Sequence, residues 1–149
     1  MARPGSRSNS LSALTKRRSQ AILPYLSQLA ISANFLQQRA AVAAVAEPRL
    51  LYGPELIEGA LHLQRTVLEH VSHVLPLDRK CEDFRTLRRT LGYTLSVVTA
   101  ALPEKGFAFM CECALWNDTD INWILRENLK KKRLAKFPQQ IATVTELLT

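Results

Sequence analysis

The segment Gln37–Leu51, QQRAAVAAVAEPRLL, constrains the fold of this chain more than any other stretch. Positions 40–46 hold nothing but Ala and Val, Arg39 heads the run and Glu47-Pro48 closes it. Side chains this small let two helix axes approach to the short end of the usual range of about 8–10 Å. Pro48 has no amide hydrogen to donate and biases Glu47 away from helical geometry, so the helix must stop before it. A short helix with one side laid closely on a neighbour is common in stacked helical repeats.

The remaining apolar spacing is helical nearly throughout, with no convincing alternating strand pattern. A first helix is expected from about Leu11 to Ile31, kinked or restarted at Pro24, with a break at Ser32-Ala33-Asn34. After the alanine-rich helix, Pro54 and Glu55 suit the first turn of a helix reaching about Leu75. Its stripe is Leu56, Ala60, Val67, Val71 and Val74, and Pro76 closes it. A helix over roughly Lys80 to Leu102 has the core face Phe84, Leu87, Leu91, Leu95, Val98 and Leu102. A short helix then covers Glu104 to Leu115. Asn117-Asp118 caps a helix over about Thr119–Leu134 with Ile121, Ile124, Leu125 and Leu129 inward. Pro138 opens the last one, with Ile141, Val144 and Leu148 along one side. The count is about seven helices in antiparallel pairs.

A chain of 149 residues is one ordinary domain. Of the net charge of +7, Arg3, Arg7, Lys16, Arg17 and Arg18 supply five, leaving +2 on everything beyond residue 20. A nearly neutral body makes the basic pI a weak argument for nucleic-acid binding by the domain itself. Residues 1–10 read as a disordered basic tail, and 11–149 as the folded domain. No run of 18 apolar residues or secretory pattern is present, so no membrane span is expected, and three reduced cysteines predict a cytoplasmic protein.

The chain also matches itself. A shift of 84 residues places Arg39 on Trp123, Arg49-Leu50 on Arg133-Leu134 and Asn34 on Asp118, while a shift of 50 places Arg39 on Arg89. Three segments, QQRAAVAAVAEPRLL (37–51), LRRTLGYTLSVVTAALPEKG (87–106) and NDTDINWILRENLKKKRL (117–134), resemble bacterial HEAT-like repeat proteins related in fold to DNA alkylation-repair glycosylases. The resemblance implies an all-α, armadillo/HEAT-like solenoid of about three antiparallel helix pairs, used as a binding surface. It implies no catalytic residue here, since Trp116, Trp123, Asp118 and Asp120 fall on no catalytic motif.

The densest charge feature is Arg126, Lys130, Lys131, Lys132, Arg133 and Lys136. Spacings of 4 and 3 predict one helical face for Arg126, Lys130 and Arg133. These cations either complement a helix C-terminus or form a patch for phosphates or acids. Arg39 and Arg89 read as ladder residues reaching an adjacent repeat, Trp123 as a cover for the end of the core, and Trp116 as a partner contact. His62, His70 and His73 read as solvent-facing or capping, and Cys111 and Cys113 as buried inert thiols, so no metal and no cofactor is expected. No glycine-rich phosphate loop, nucleophile elbow or paired carboxylate is visible, and no enzyme activity or small-molecule substrate is expected. The expected function is a non-catalytic scaffold for protein–protein interaction, with Trp116, Arg126, Lys130, Lys131, Arg133 and Lys136 as the partner-binding residues. The alternative is nucleic-acid binding.

Overall fold

The computed structural model describes residues 21–51 and 53–148, which are all-α: seven α-helices and no strand among the described residues. The basic tail and the start of the first expected helix lie outside them. Residues 21–31 form helix α1, which continues across Pro24. Then follow α2 (Phe35–Val45), α3 (Gly53–Ser72), α4 (Glu82–Ala101), α5 (Pro103–Ala114), α6 (Thr119–Leu129) and α7 (Pro138–Leu147). No helix among the described residues is long and apolar enough to cross a membrane.

The alanine-rich helix is capped as its sequence demands. Asn34 Oδ1 accepts hydrogen bonds from the Leu36 and Gln37 amides at 3.0 and 3.1 Å. Its buried residues Gln38, Ala41, Val42 and Val45 follow a helical stripe, while Ala40 on the opposite side is exposed. That stripe packs on α4 and α3.

Helix α4 is the centre of the molecule. It packs against α2, α3, α5 and α6, and Phe84, Leu87, Leu91, Leu95 and Val98 are all buried. Helices α2 and α4 run in the same direction: the Phe35 and Phe84 rings meet at 5.4 Å, and one turn on Arg39 Nε donates to Thr90 Oγ1 at 3.1 Å. Helix α6 runs with them, Asp120 meeting Arg88 and Asn128 meeting Leu91 and Ser96. Helices α3 and α5 likewise lie parallel, since Lys105 pairs with Glu58 and Arg65 with Glu112 at one common sequence separation of 47.

The 84-residue shift reappears as structure. Cap Asn34 corresponds to cap Asp118, α2 to α6 residue for residue, and the 3-10 turn Pro48–Leu50 to the 3-10 turn Lys132–Leu134.

Two helices end earlier than their sequences predict. Helix α3 stops at Ser72, the residue whose carbonyl the Pro76 ring would meet in continued helix, and Arg79 donates to the carbonyls at and just past its end: Val71 O at 3.0 Å, Ser72 O at 3.4 Å and Val74 O at 2.8 Å. Helix α6 stops at Leu129 and not near Leu134. Its buried stripe is Ile121, Ile124, Leu125 and Asn128. Continued helix would carry Leu134 round to the far side and place Lys132 on that stripe. The chain instead turns at Lys131, and Leu134 is fully buried.

Candidate functional site

The side of α4 that its neighbours leave open carries two adjoining hollows. The first, over its N-terminal half, is lined by Glu82, Arg85, Arg88 and Arg89 together with Arg79, Phe84 and Asp120. Arg85 is exposed and makes no ion pair among the described residues. Arg89 pairs with Glu82 at 3.0 Å, both side chains being more than half exposed, so the pair adds little stability. One turn further on, Tyr93 begins the second hollow, a groove of about 460 Å³. Ala46, Pro48 and Leu51 line it from beyond α2, and Val97, Ala100 and Ala101 from α4. Arg133 completes the lining, so the groove is apolar with a cation beside it.

Below the arginine hollow lies a nearly closed ion network. Besides the three carbonyls at the end of α3, Arg79 grips Asp118 Oδ1 and Oδ2 at 2.9 and 2.8 Å and Asp120 Oδ2 at 2.9 Å. Asp118 also caps α6, accepting from the Asp120 and Ile121 amides at 2.9 and 3.1 Å. Burial pushes the Asp118 carboxyl up, but Arg79 and those two amides together hold it below its ordinary value. Arg88 donates to Asp120 Oδ1 at 2.8 Å and stacks 3.8 Å from the centre of the Trp123 ring. Trp123 in turn leans on Gly92 of α4, where a Cβ would stand 3.3 Å from the ring.

The ladder expected of Arg39 and Arg89 is therefore made differently. Arg39 does reach the adjacent helix, but to a threonine. On α4 the reaching residue is Arg88, one position before Arg89, and Arg89 bonds within its own helix.

The structure disperses the sequence-predicted binding residues. Arg126 is exposed on the last turn of α6. Lys130 is its exposed C-cap and pairs with Glu127 at 2.9 Å. Lys131 is half-buried at the turn, Lys132 and Lys136 are exposed, and Lys136 Nζ lies 5.5 Å from the Phe137 ring. Arg133 has left the helix, so it does not share a helical face with Arg126 and Lys130; it joins the groove beside α4. Trp116 precedes α6, half-buried against Phe109 at 6.2 Å, in a separate hollow with Glu69, His73 and Glu112. Helix α6 separates it from the cations by roughly 1.5 Å per residue over its length, on the order of 16 Å. Sequence reasoning passed over Arg85 as a surface candidate, although Arg85 and Arg89 stand one turn apart outside a clear core face.

Gln38 Nε2 donates to Ser32 O at 2.8 Å and to His70 Nδ1, so His70 is tied into the α1–α2 turn and is half-buried rather than solvent-facing. His62 and His73 are exposed. Cys113 is fully buried, and burial pushes its thiol up; Cys111 is only half-buried and Cys81 exposed. Among the described residues no group of three or more His, Cys, Asp or Glu converges on one point. Compared with protein-family models, curated proteins and solved structures, the chain finds no match in any of the three.

Proposed function

We propose that this chain is a non-catalytic armadillo/HEAT-like scaffold for protein–protein interaction, built as a solenoid of helix pairs α1–α2, α3–α4 and α5–α6 with α7 against α5. The observation that carries the reading is the recurrence of cap, helix and 3-10 turn after 84 residues, from α2 to α6. With α4 between them, 84 residues span two repeats, a mean of 42, inside the range of about 40–47 for HEAT-type units. The paired residues of α3 and α5 are 47 apart, at the upper end of that range. The proposed partner lies on the open side of α4, where Arg85, Arg89 and Arg133 line the two hollows. Arg126, Lys130, Lys131 and Lys136, dispersed over the end of α6 and the turns after it, are proposed as further contacts. Trp116 marks a second, separate contact. Free thiols at Cys81, Cys111 and Cys113 suit a reducing compartment such as the cytoplasm.

A second reading, nucleic-acid binding, is favoured by one observation: Arg85, Arg88 and Arg89 gather in one hollow and would contact phosphates without reading sequence. The two separate on salt and on charge reversal. Immobilised chain should retain a discrete protein from extracts of its own cells at moderate salt, and lose it on Lys131→Glu or Arg85→Glu/Arg89→Glu. Binding of a DNA duplex that falls steeply between about 50 and 200 mM salt, without such a protein, would favour nucleic acid. Failure to bind either would refute both.

A further inference from the structure

We infer that the open side of α4 recognises an acidic protein segment carrying one large apolar side chain, the acids lying on Arg85 and Arg89 and the apolar side chain filling the groove beside Val97 and Leu51. This deepens the scaffold reading and rests on it. Two observations define the occupant. Charge decides the first half: Arg85 and Arg133 make no ion pair among the described residues, and the one acid on Arg89 is Glu82, held in an exposed pair that an incoming carboxylate displaces at little cost. The groove decides the second. Apart from Arg133 and the Tyr93 hydroxyl its lining is aliphatic, so it offers a phosphate or sugar few hydrogen bonds, but it can receive a leucine- or phenylalanine-sized side chain. Tyr93, 40% exposed, stands between the two hollows one turn after Arg89. From Arg89 to Val97 α4 rises about 12 Å at 1.5 Å per residue, so acid and anchor on the partner need be only about four residues apart in an extended segment. A nucleic acid would use the arginines and leave the groove wet.

The test selects random dodecapeptides displayed on phage against the full chain, then measures fluorescein-labelled winners by fluorescence anisotropy, beside a labelled single-stranded oligonucleotide. The expected winners carry two or more Asp or Glu within a few residues of a Leu, Phe or Trp. Arg85→Glu/Arg89→Glu and Ala101→Asp should each weaken them roughly tenfold or more, through like-charge repulsion and a charge placed in the groove. Ala101 is exposed, so that variant keeps the fold, and circular dichroism verifies it. Lys132→Glu, outside the groove lining, should change affinity little. Winners without acids, or winners indifferent to both variants, overturn this docking mode while leaving a scaffold that binds elsewhere. Oligonucleotide binding through the same arginines with no peptide enriched, or no binding of either probe, overturns both the docking mode and the scaffold reading.

Discussion

Replacing Arg79 with alanine should remove about 3 kcal/mol of stability, a large share of what a domain of this size has. The side chain is 18% exposed and its carboxylate partners Asp118 and Asp120 are 12% and 21% exposed, so most of the network is shielded from water. Removing one partner of a buried pair costs about 3–5 kcal/mol when a charge is left alone. Here neither carboxylate is left alone: Asp118 keeps two amide donors and Asp120 keeps Arg88. That places the carboxylate share below the full range. Losing the bonds to Val71 O, Ser72 O and Val74 O adds a few tenths to about 1 kcal/mol each, because those carbonyls lie at a helix end that water partly reaches. Arg79→Lys keeps one cation but loses the fork, and should cost about half as much.

The same substitution has a pH signature. Asp118 is depressed in the folded chain, so its contribution is present above the unfolded carboxylate value of about 3.9 and is lost as pH falls through the lower folded value. In Arg79→Ala the largest remaining influence is burial, which pushes the carboxyl up. The stability gap between wild type and variant should therefore be widest near neutrality and close below about pH 4. Urea denaturation followed by circular dichroism between pH 7 and 3 measures both effects. A loss under about 1 kcal/mol at pH 7, or a gap that ignores pH, would refute the network's role.

Gly106 of α5 faces Thr99 of α4 so closely that an added Cβ would lie 2.7 Å from the threonine Cα. Gly106→Ala should lower stability by roughly 1–3 kcal/mol in a thermal melt, since backbone must move. Gly59→Ala meets only the tip of Leu23, at 2.9 Å, and should be neutral or stabilise by up to about 1 kcal/mol through helix propensity. Thiol titration should label Cys81 at once and Cys113 only on unfolding, because burial both hides that sulfur and holds it protonated; rapid native labelling of Cys113 would contradict the packing of α5.

The parts of this fold that could be read from the sequence are those set locally. Asn34, Asp118 and the prolines at 48, 54, 103 and 138 fix helix starts and stops through capping and missing amides, and there expectation and structure agree within a few residues. The core faces of α3 and α4 were equally visible as helical periodicity. Distant partners decided the rest. Leu134 turns inward because α4 offers it a buried place, so a helix expected to continue ends five residues sooner. Arg79 sits in a short turn that reads as surface, and its partners lie 39 and 41 residues onward. The hollows on α4 were hidden for the same reason. Arg85 and Arg89 gain a groove beside them only when Ala46, Leu51 and Arg133 arrive beside Tyr93 from two other parts of the chain.

What keeps those parts in place is a set of polar bonds inside an otherwise apolar core. Three of the four helices packed on α4 are each pinned to it in this way. Arg39 of α2 donates to Thr90; Thr94 donates to Gln64 of α3 at 3.0 Å; Asn128 of α6 donates to Leu91 O at 2.8 Å and accepts from the Ser96 amide at 2.8 Å. Apolar stripes of Ala, Val and Leu would tolerate sliding by a turn, because one aliphatic contact resembles the next. Buried amides do not, since a slip strands donors and acceptors away from water at about 1–3 kcal/mol apiece. A slip of α2 or α6 along α4 would also carry Leu51 or Arg133 away from Val97 and Ala101 and open the groove. The register of the helices and the shape of the proposed binding surface are thus one property, and both depend on a few side chains that lie outside that surface.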